Sequence, residues 1–311
     1  IHFASSMYSV AEFNQSNGVG GLNTTRYRYD GAVYDIQGRG FRGFNGISEI
    51  DLTTGITTYT DFKQTFPFSS AVEAQFVFEG IDVNTGDATE QSLALSQTTH
   101  RWQENPSQKA AWKNAGVYQL YNQQAISVSR TPSTDLSGKG VQISESQVTV
   151  PFSGDIDQFG NILNRETRIE DRFGVYVTDE QGDYSQASDS WPGRYASKTV
   201  TRKAVGRTTY GITSVPAETD TDKVIKTNVT WDTLLRKPAT VVVKKDGIEV
   251  ITTTSTVYNH YALPTEVTVT GDVIEGSGDA PAQQIRRTTT DYTSNGSTCL
   301  LYTSDAADEV L

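Results

Sequence analysis

The stretch from residue 27 to residue 46, YRYDGAVYDIQGRGFRGFNG, constrains the fold of this chain more than any other segment. Tyrosines, aspartates and glycines alternate so closely in it that only short strands and tight turns can fit. The tyrosines are typical of a half-buried pleated surface, while the aspartates and glycines supply turn residues at short intervals. The stretch therefore predicts β-hairpins.

The remainder of the chain repeats this alternation of β-runs and turn signals. Asp246-Gly247 predicts a two-residue hairpin loop, because this pair accepts the positive φ of a type I′ turn. Residues 100–116 are the one segment that favours a short helix, and a long surface loop fits them as well. The sequence therefore predicts an all-β chain, an irregular ribbon of antiparallel β-hairpins with little helix. Further strands are predicted at 72–78, 117–130, 141–150, 172–177 and 198–210, with a polar turn region at 179–194.

Composition and charge exclude several classes of protein. Of the 311 residues, 36% are hydrophobic, which is low for a globular domain and favours a sheet with one solvated face over a thick dry core. The formal charge of −11 argues against a nucleic-acid-binding surface, which needs a basic stripe. No window approaches the roughly eighteen apolar residues that span a bilayer.

Three segments carry a resemblance to a known family: YRYDGAVYDIQGRGFRGF from Tyr27, IDLTTGITTYTDFKQTFPFS from Ile50, and DIDQFGN from Asp155. In these motifs the chain resembles the RHS/YD-repeat proteins, and among them the repeat region of the B component of Tc-type insecticidal toxins. The family's repeat is an aromatic residue, Asp, two variable residues and Gly, which here is Tyr34 to Gly38. The resemblance covers most of residues 20–292.

Further copies of the repeat are weaker. One begins at Ile156, and two others begin at Trp231 and Tyr258, where Leu235 and Ala262 stand in place of the glycine. The missing glycines put a tight turn in question at those two places. The spacing of the repeats is irregular, which predicts a ribbon of unequal hairpins rather than a solenoid of fixed period.

Proteins of this family wind β-sheet ribbons into a hollow shell around a toxic C-terminal polypeptide. The resemblance therefore implies a non-enzymatic fragment of a secreted or cell-surface toxin. Its implied partners are the rest of its own chain, the enclosed polypeptide and other toxin-complex subunits. The residues expected to set the turns and the cross-strand packing are Tyr27, Tyr29, Asp30, Tyr34, Asp35, Gly38, Gly40, Phe41, Gly43, Phe44, Asp157, Gly160, Asn161, Asp246 and Gly247.

Both ends of the sequence are unusual. Ile1 is not a start methionine, and the residues after it lack the features of a signal peptide, so we expect the natural amino terminus to be missing. Cys299–Glu309 resembles the conceptual translation of a transposon adapter used in sequencing libraries. We therefore expect three regions: a strand remnant and loop at 1–26, the repeat region at 27–298, and a non-native tail at 299–311.

The glycines from Gly38 to Gly43 match the pattern GxGxxG of dinucleotide-binding proteins. That reading needs a helix after the glycines, whose N-terminal amides would contact phosphate. A hairpin is predicted there instead, which favours a turn. Serine-hydrolase, zinc-protease and Walker motifs are absent from the sequence.

Asp155, Asp157, Gly160 and Glu166 fall at the offsets of a calcium-binding loop, but Phe159 occupies a ligand position. No helices are predicted to flank the segment, so a turn stabilised by aspartate side chains is favoured. The histidines are scattered, and none has a partner at metal-ligand spacing. The sequence therefore predicts no metal and no cofactor. The histidines are His2, His100 and His260.

Two other functions stay open at the level of sequence. In a surface adhesin or glycan-binding β-domain, the aromatic residues from Tyr27 to Phe44 would form a sugar-stacking platform, although aromatic residues on strands more often pair across neighbours. A carboxylate enzyme would need two acids facing each other in a cleft, and the linear sequence does not place any two of the 37 acidic residues together. The sequence favours a structural protein over an enzyme.

Overall fold

A computed structural model of the chain is built almost entirely of antiparallel β-strands, which confirms the predicted all-β class. A short helix, α1 (Ala110–Asn114), lies inside the segment that favours one. The strands follow from the alternation of β-branched or aromatic residues with turn residues, whereas α1 begins with two alanines, which favour a helix. The structure describes residues 8–36, 38–80, 91, 93–132, 140–150, 155–188, 190–205, 222–246, 249–273, 282–295 and 298–303.

The chain divides into two units, which are described separately. Unit 1 comprises Ile1–Gly160, Arg165–Val177 and Ala204–Glu218. Unit 2 comprises Asn161–Asn164, Thr178–Lys203 and Thr219–Leu311.

Unit 1 is a meander, in which each main strand pairs antiparallel with the next one along the chain. A small hairpin, β3–β4, lies outside this order and is inserted between β2 and β5. The strands are β1 (Glu12–Ser16), β2 (Leu22–Asp30), β3 (Tyr34–Asp35), β4 (Gly40–Phe41), β5 (Gly46–Asp51), β6 (Ile56–Phe62), β7 (Val72–Glu79), β8 (Ser96–Glu104), β9 (Leu120–Arg130), β10 (Gln142–Thr149), β11 (Asn164–Asp171) and the first residues of β12 (Val175–Asp183).

The best-buried part of unit 1 is one face of β5, β6 and β7. Cross-strand rows bring Ser48 opposite Tyr59 and Tyr59 opposite Phe76, and all three side chains are buried. The Tyr59 and Phe76 rings stack with centroids 6.3 Å apart. A Cβ atom on Gly46 would overlap the Tyr59 ring, so only glycine allows this packing at the start of β5.

Unit 2 continues with the same kind of antiparallel hairpins. Its strands are the end of β12, β13 (Ser197–Val205) except its last two residues, β14 (Lys223–Asp232), β15 (Lys237–Lys245), β16 (Glu249–Tyr258), β17 (Pro264–Val273), β18 (Ala282–Asn295) and β19 (Thr298–Thr303). From β13 to β19, each strand pairs with the next. The described sheet therefore begins at Glu12, upstream of residue 27, and includes residues 298–303.

Three local predictions are wrong. Lys245 pairs with Glu249, so the loop at Asp246 holds three residues rather than two. Arg172 and Phe173 belong to a turn, because the Asp171 side chain accepts hydrogen bonds from the backbone N–H groups of residues 173 and 174. The predicted polar turn at 179–194 begins too early, since β12 continues to Asp183.

Candidate functional site

Four connections of unit 1 lie at the same end of its strands, the end where β2, β6, β8 and β10 finish. In an antiparallel meander every second connection falls at one end, so these four become neighbours although they are far apart in sequence. We call this end of unit 1 the rim. Its described segments are residues 31–36 with 38–45, 63–71, 105–119 and 155–160.

The first connection contains the strongest repeat of the sequence. Tyr34 pairs with Phe41, and Asp35 pairs with Gly40, to form the β3–β4 hairpin. Gly38 has a φ of +100° and Gly40 a φ of +76°, a backbone conformation that side chains with a Cβ disfavour. The repeat thus forms a tight hairpin rather than the start of a phosphate-binding helix.

Asp35 lies between two arginines of the same connection. Its Oδ2 is 3.4 Å from Nη1 of Arg39 and 3.5 Å from Nη1 of Arg42, and its side chain is only 10% exposed. Arg42 also donates through Nε to the hydroxyl of Ser69, at 2.9 Å. Arg42 therefore joins the first connection to the second.

The five predicted aromatic residues of this region differ in their exposure to solvent. Tyr29 and Phe44 pack with ring centroids 4.6 Å apart, and Phe44 meets Phe41 edge to face at 5.5 Å. Tyr27 stacks with Tyr29 at 6.4 Å. Tyr27, Tyr29 and Phe44 are half-buried, whereas Tyr34 and Phe41 are exposed. The contacts among Tyr29, Phe44 and Phe41 therefore hold the hairpin to β2, and the five rings, which differ in exposure, do not form a single open platform.

The remaining predicted residues of the first connection fix its base. The carbonyl oxygen of Asp30 accepts from the N–H of Asn45 at 2.8 Å, and that of Gly43, whose φ is +90°, accepts from Val33 at 3.1 Å. The carbonyl of Phe44 accepts from the side-chain amide of Gln64 at 2.6 Å. These bonds tie the connection to β2 and to the second connection.

The second and third connections meet through Phe66. The guanidinium carbon of Arg39 lies 4.0 Å from the centroid of the Phe66 ring, and the Tyr118 ring packs against it edge to face at 4.9 Å. Cation–π and aromatic contacts of this geometry are favourable. Phe66 therefore links three of the four connections.

Asn105 joins the third connection to the fourth. Its buried side-chain amide donates to Oε1 of Gln119 and to the carbonyl of Asp157, both at 2.8 Å, and its Oδ1 accepts from the N–H of Ser107 at 2.9 Å. Trp112 lies beside Phe159, with ring centroids 6.1 Å apart. Sequence reasoning missed Asn105, because nothing in the local sequence indicates a contact with a residue 52 positions away.

Asp157 forms a turn through its own side chain. Its Oδ1 accepts from the N–H of Phe159 at 2.9 Å, its carbonyl accepts from the N–H of Gly160 at 3.1 Å, and Gly160 has a φ of +91°. This arrangement is an Asx turn. No group of three or more potential metal-ligating side chains occurs among the described residues, Asp155 and Asp157 included.

Sequence reasoning missed that the Asx turn recurs at the ends of strands in both units. In each copy, an Asp or Asn near the end of a strand accepts a hydrogen bond from the backbone N–H two residues later. In most copies it also accepts from a second backbone N–H, three or four residues later. The only sequence signal is an Asp or Asn after a β-run, which is too common to be decisive. The copies start at Asp51, Asp171, Asp183, Asp232 and Asn259.

A second recurring device also went unpredicted. An aromatic side chain in the later strand of a hairpin donates a hydrogen bond to a carbonyl within two residues of the start of the earlier strand, and we call this bond an aromatic clasp. Five clasps occur among the described residues. They are Tyr29 to Val10 (2.9 Å), Trp102 to Val72 (2.7 Å), Trp231 to Tyr195 (2.7 Å), Tyr258 to Pro238 (2.9 Å) and Tyr292 to Pro264 (2.9 Å).

The other predicted residues lie in unit 2. Asn161 donates through its side-chain amide to the carbonyl of Pro192 at 2.6 Å. Asp246 has a φ of +52°, and its N–H donates to the carbonyl of Val224 at 2.7 Å. Gly247 lies outside the described residues.

Two groups beside the rim, Asp61 and Tyr59, have pKa values raised by burial and by nearby charges. Burial, and then the nearby charge of Glu73, raises the pKa of Asp61, whose Oδ1 accepts from the side chain of Asn45 at 3.2 Å. Burial, with the charges of Asp61 and Asp30, also raises the pKa of Tyr59. The ionised form of Asp61 is therefore disfavoured in the folded protein.

The histidines do not gather at the rim. Nδ1 of His100 lies 2.7 Å from the side-chain amide of Asn122, and burial lowers the pKa of His100. The His260 ring contacts Tyr261 in unit 2. His2 lies outside the described residues. A search of the described residues finds no helix both long and apolar enough to cross a membrane.

Comparison with known proteins gives structural matches only. No family model matches the chain, and no curated protein matches it. The chain is similar to the crystal structure of TcdB2-TccC3-TEV, at 11% identity over 91% of this chain and with a TM-score of 0.47. It is also similar to that of TcdB2-TccC3, at 10% identity over 91% and with a TM-score of 0.44.

The chain spans about a fifth of the length of the solved chains, 22% in both cases. Both TM-scores lie below 0.5, so the matches carry no argument about the family or the activity of this chain.

Proposed function

We propose that this chain is a section of an RHS/YD-type β-shell, a non-enzymatic wall that encloses a toxic C-terminal polypeptide of the same protein. The observation that supports this proposal best is the recurrence of Asx turns and aromatic clasps in both units. Both devices act within one hairpin, so a sheet can be lengthened by adding hairpins without redesigning its core.

A wall of this kind suits containment. Each inner strand of a meander has both rows of backbone hydrogen-bonding groups paired, which leaves few exposed edges for aggregation. Pairing with the next strand also keeps contacts local, which favours folding as the chain emerges. The sheet itself would then separate the enclosed polypeptide from proteases outside.

The polar chemistry at the rim favours structure over catalysis. Asp35 pairs with two arginines, the Asp157 side chain accepts from the backbone of Phe159, and the Asn105 side chain makes three hydrogen bonds. A general acid or base needs a side chain that reaches a substrate. These groups instead hold the connections together.

On this proposal the protein acts outside the cell that makes it, as part of a secreted or cell-surface bacterial toxin. Its partners would be the rest of its own chain, the enclosed polypeptide and other subunits of an insecticidal toxin complex. The repeat region would extend over residues 27–298, preceded by the segment 1–26 and followed by a non-native tail at 299–311.

Protease protection tests the proposal. The adjoining gene sequence is recovered, the whole protein is expressed, and digestion of its C-terminal segment is followed by gel electrophoresis. We expect the segment to survive until urea unfolds the sheet, whereas the same segment expressed alone is digested at once. Equal rates of digestion for the enclosed and the isolated segment would refute containment.

A further inference from the structure

Six exposed apolar side chains lie at the rim. They come from three connections that are separate in sequence, and between 36% and 69% of each residue is exposed. Exposed apolar patches that join several segments often mark interaction sites. The residues are Tyr34, Ile36, Phe41, Phe66, Val117 and Tyr118.

Phe66 is central to these residues and has a cation on its ring. Arg39 lies 4.0 Å above the Phe66 ring, Tyr118 packs on the ring edge, and 47% of the Arg39 side chain is exposed although it pairs with Asp35. A guanidinium carries five N–H donors, so Arg39 can bind a second carboxylate while it keeps its contact with Asp35. We call Ile36, Arg39, Phe66, Val117 and Tyr118 the rim patch.

The rim patch lies beside an excess of positive charge. Two guanidinium groups, those of Arg39 and Arg42, face the single carboxylate of Asp35, whereas the whole chain has a formal charge of −11. A positive group attracts acidic partners, and two copies of the same patch would place like charges opposite each other. The rim patch is therefore suited to an acidic partner rather than to pairing with itself.

The shape of the patch favours a polypeptide over a sugar. The Arg39 guanidinium covers one face of Phe66, and aliphatic Ile36 and Val117 are exposed on the connections beside it. Sugars stack on open aromatic faces, while peptide interfaces combine Tyr, Phe and Arg anchors with aliphatic contacts. We propose that the rim patch binds an acidic polypeptide segment that carries apolar side chains, with a carboxylate on Arg39 and an apolar side chain against Phe66 and Tyr118.

Calorimetric titration of the full chain tests this proposal. The probe is a random copolymer of glutamate and tyrosine, with polyglutamate and heparin titrated in parallel. We expect the copolymer to bind more tightly than either, because it supplies both carboxylates and apolar groups. Arg39→Gln and Tyr118→Ala should each weaken copolymer binding by about tenfold, the range of an interface anchor.

Lys198→Gln is the matched control. Lys198 also lies over an aromatic ring, with Nζ 4.7 Å from the Tyr195 centroid, but it belongs to unit 2. We expect this variant to bind the copolymer within about twofold of the parent chain. Circular dichroism and urea midpoints show whether each variant keeps its fold. If Tyr118→Ala does not fold, the test rests on Arg39→Gln, which alters a half-exposed side chain.

Three results would overturn the proposal. The first is no binding of the copolymer, and the second is equal binding by the parent chain and by folded Arg39→Gln. The third is binding of heparin in preference to the copolymer, which would indicate an anionic glycan instead. None of these results bears on containment, which the protease experiment measures separately.

Discussion

The two units differ in how the connections at the ends of their strands are stabilised. In unit 1, long connections at the rim are held by contacts with one another, through Arg42, Phe66 and Asn105. In unit 2, the described connections after β14 and β16 are tight Asx turns at Asp232 and Asn259. A long connection needs partners outside its own hairpin, whereas a short turn is complete by itself.

The two units also differ in which residues adopt a positive φ. At the rim of unit 1 they are mostly glycines, such as Gly38 and Gly160, and Ser70 with a φ of +68° is an exception. In unit 2 the residues at the turns are Arg236, with a φ of +55°, and Ala262, with a φ of +60°. A side chain with a Cβ raises the energy of this conformation by about 1 kcal/mol or more. The turns of unit 2 therefore carry strain that the glycine turns at the rim avoid.

The largest effect is expected at Asn105, which tests whether the connections of the rim depend on one another. Asn105→Ala removes a buried amide that bonds Gln119 and the carbonyl of Asp157. Oε1 of Gln119 loses this donor, and the carbonyl of Asp157 keeps only its bond from Gly160. We expect the free energy of unfolding to fall by about 2–3 kcal/mol in urea titrations. Asn14→Ala, in exposed β1, serves as control, and an equally small loss for both variants would refute interdependence.

The difference between the glycine turn at Gly38 and the turn at Ala262 predicts opposite effects on stability when a side chain is added to one and removed from the other. Gly38→Val should destabilise by about 1–2 kcal/mol, because its φ of +100° disfavours a β-branched residue although no atom lies within 4 Å of the new Cβ. Ala262→Gly should stabilise by about 0.5–1 kcal/mol, since glycine removes the strain at φ +60°. Urea midpoints measure both, and changes of the same sign would show that backbone strain does not separate the two units.

Aromatic clasps should contribute more where they are shielded from water. The Tyr258 hydroxyl bonds the carbonyl of Pro238 in a partly buried site, whereas the bond from Tyr29 to Val10 is exposed. We expect Tyr258→Phe to lower the unfolding free energy by about 1 kcal/mol and Tyr29→Phe by less than about 0.5 kcal/mol. Equal losses in denaturant titrations would indicate that burial does not strengthen the clasp.

The smallest effect concerns pH. The pKa of Asp61 is raised in the folded chain, so its contribution to stability is present below its ordinary value of 3.8 and is lost as the pH rises through the raised value. Asp61→Asn should therefore unfold at higher urea concentrations than the parent chain at pH 7, by no more than about 1 kcal/mol given solvent screening. The difference should vanish in acid.

Glu266 in unit 2 is the control of opposite sign. A hydrogen bond from Arg287 lowers the pKa of Glu266, so the contribution of Glu266 is present above its ordinary value and is lost as the pH falls. Glu266→Gln should be less stable than the parent chain at pH 7 and should match it in acid. Two variants with the same pH dependence would contradict the assigned causes of the pKa shifts.

The strands and turns of this fold were largely predictable from the sequence, because each depends on residues close to it in the chain. A pattern of β-branched and aromatic residues broken by Asp and Gly fixes strands and turns, because each depends on neighbours within a few positions. It indicated the all-β class and the β3–β4 hairpin, and it left the segment that contains α1 open between a short helix and a long surface loop. It was wrong about the loop after Lys245, because the register that sets loop length depends on the whole strand pair.

Tertiary structure alone decided the rest. The rim exists because a meander brings connections at 31–45, 63–71, 105–119 and 155–160 to one end, and Asn105 contacts Asp157 only after that order is formed. The aromatic clasps likewise require two strands to lie side by side before a tyrosine hydroxyl or an indole N–H can reach a carbonyl. Sequence determines contacts between near neighbours, whereas contacts between distant residues depend on strand order and register, which a single pattern does not encode.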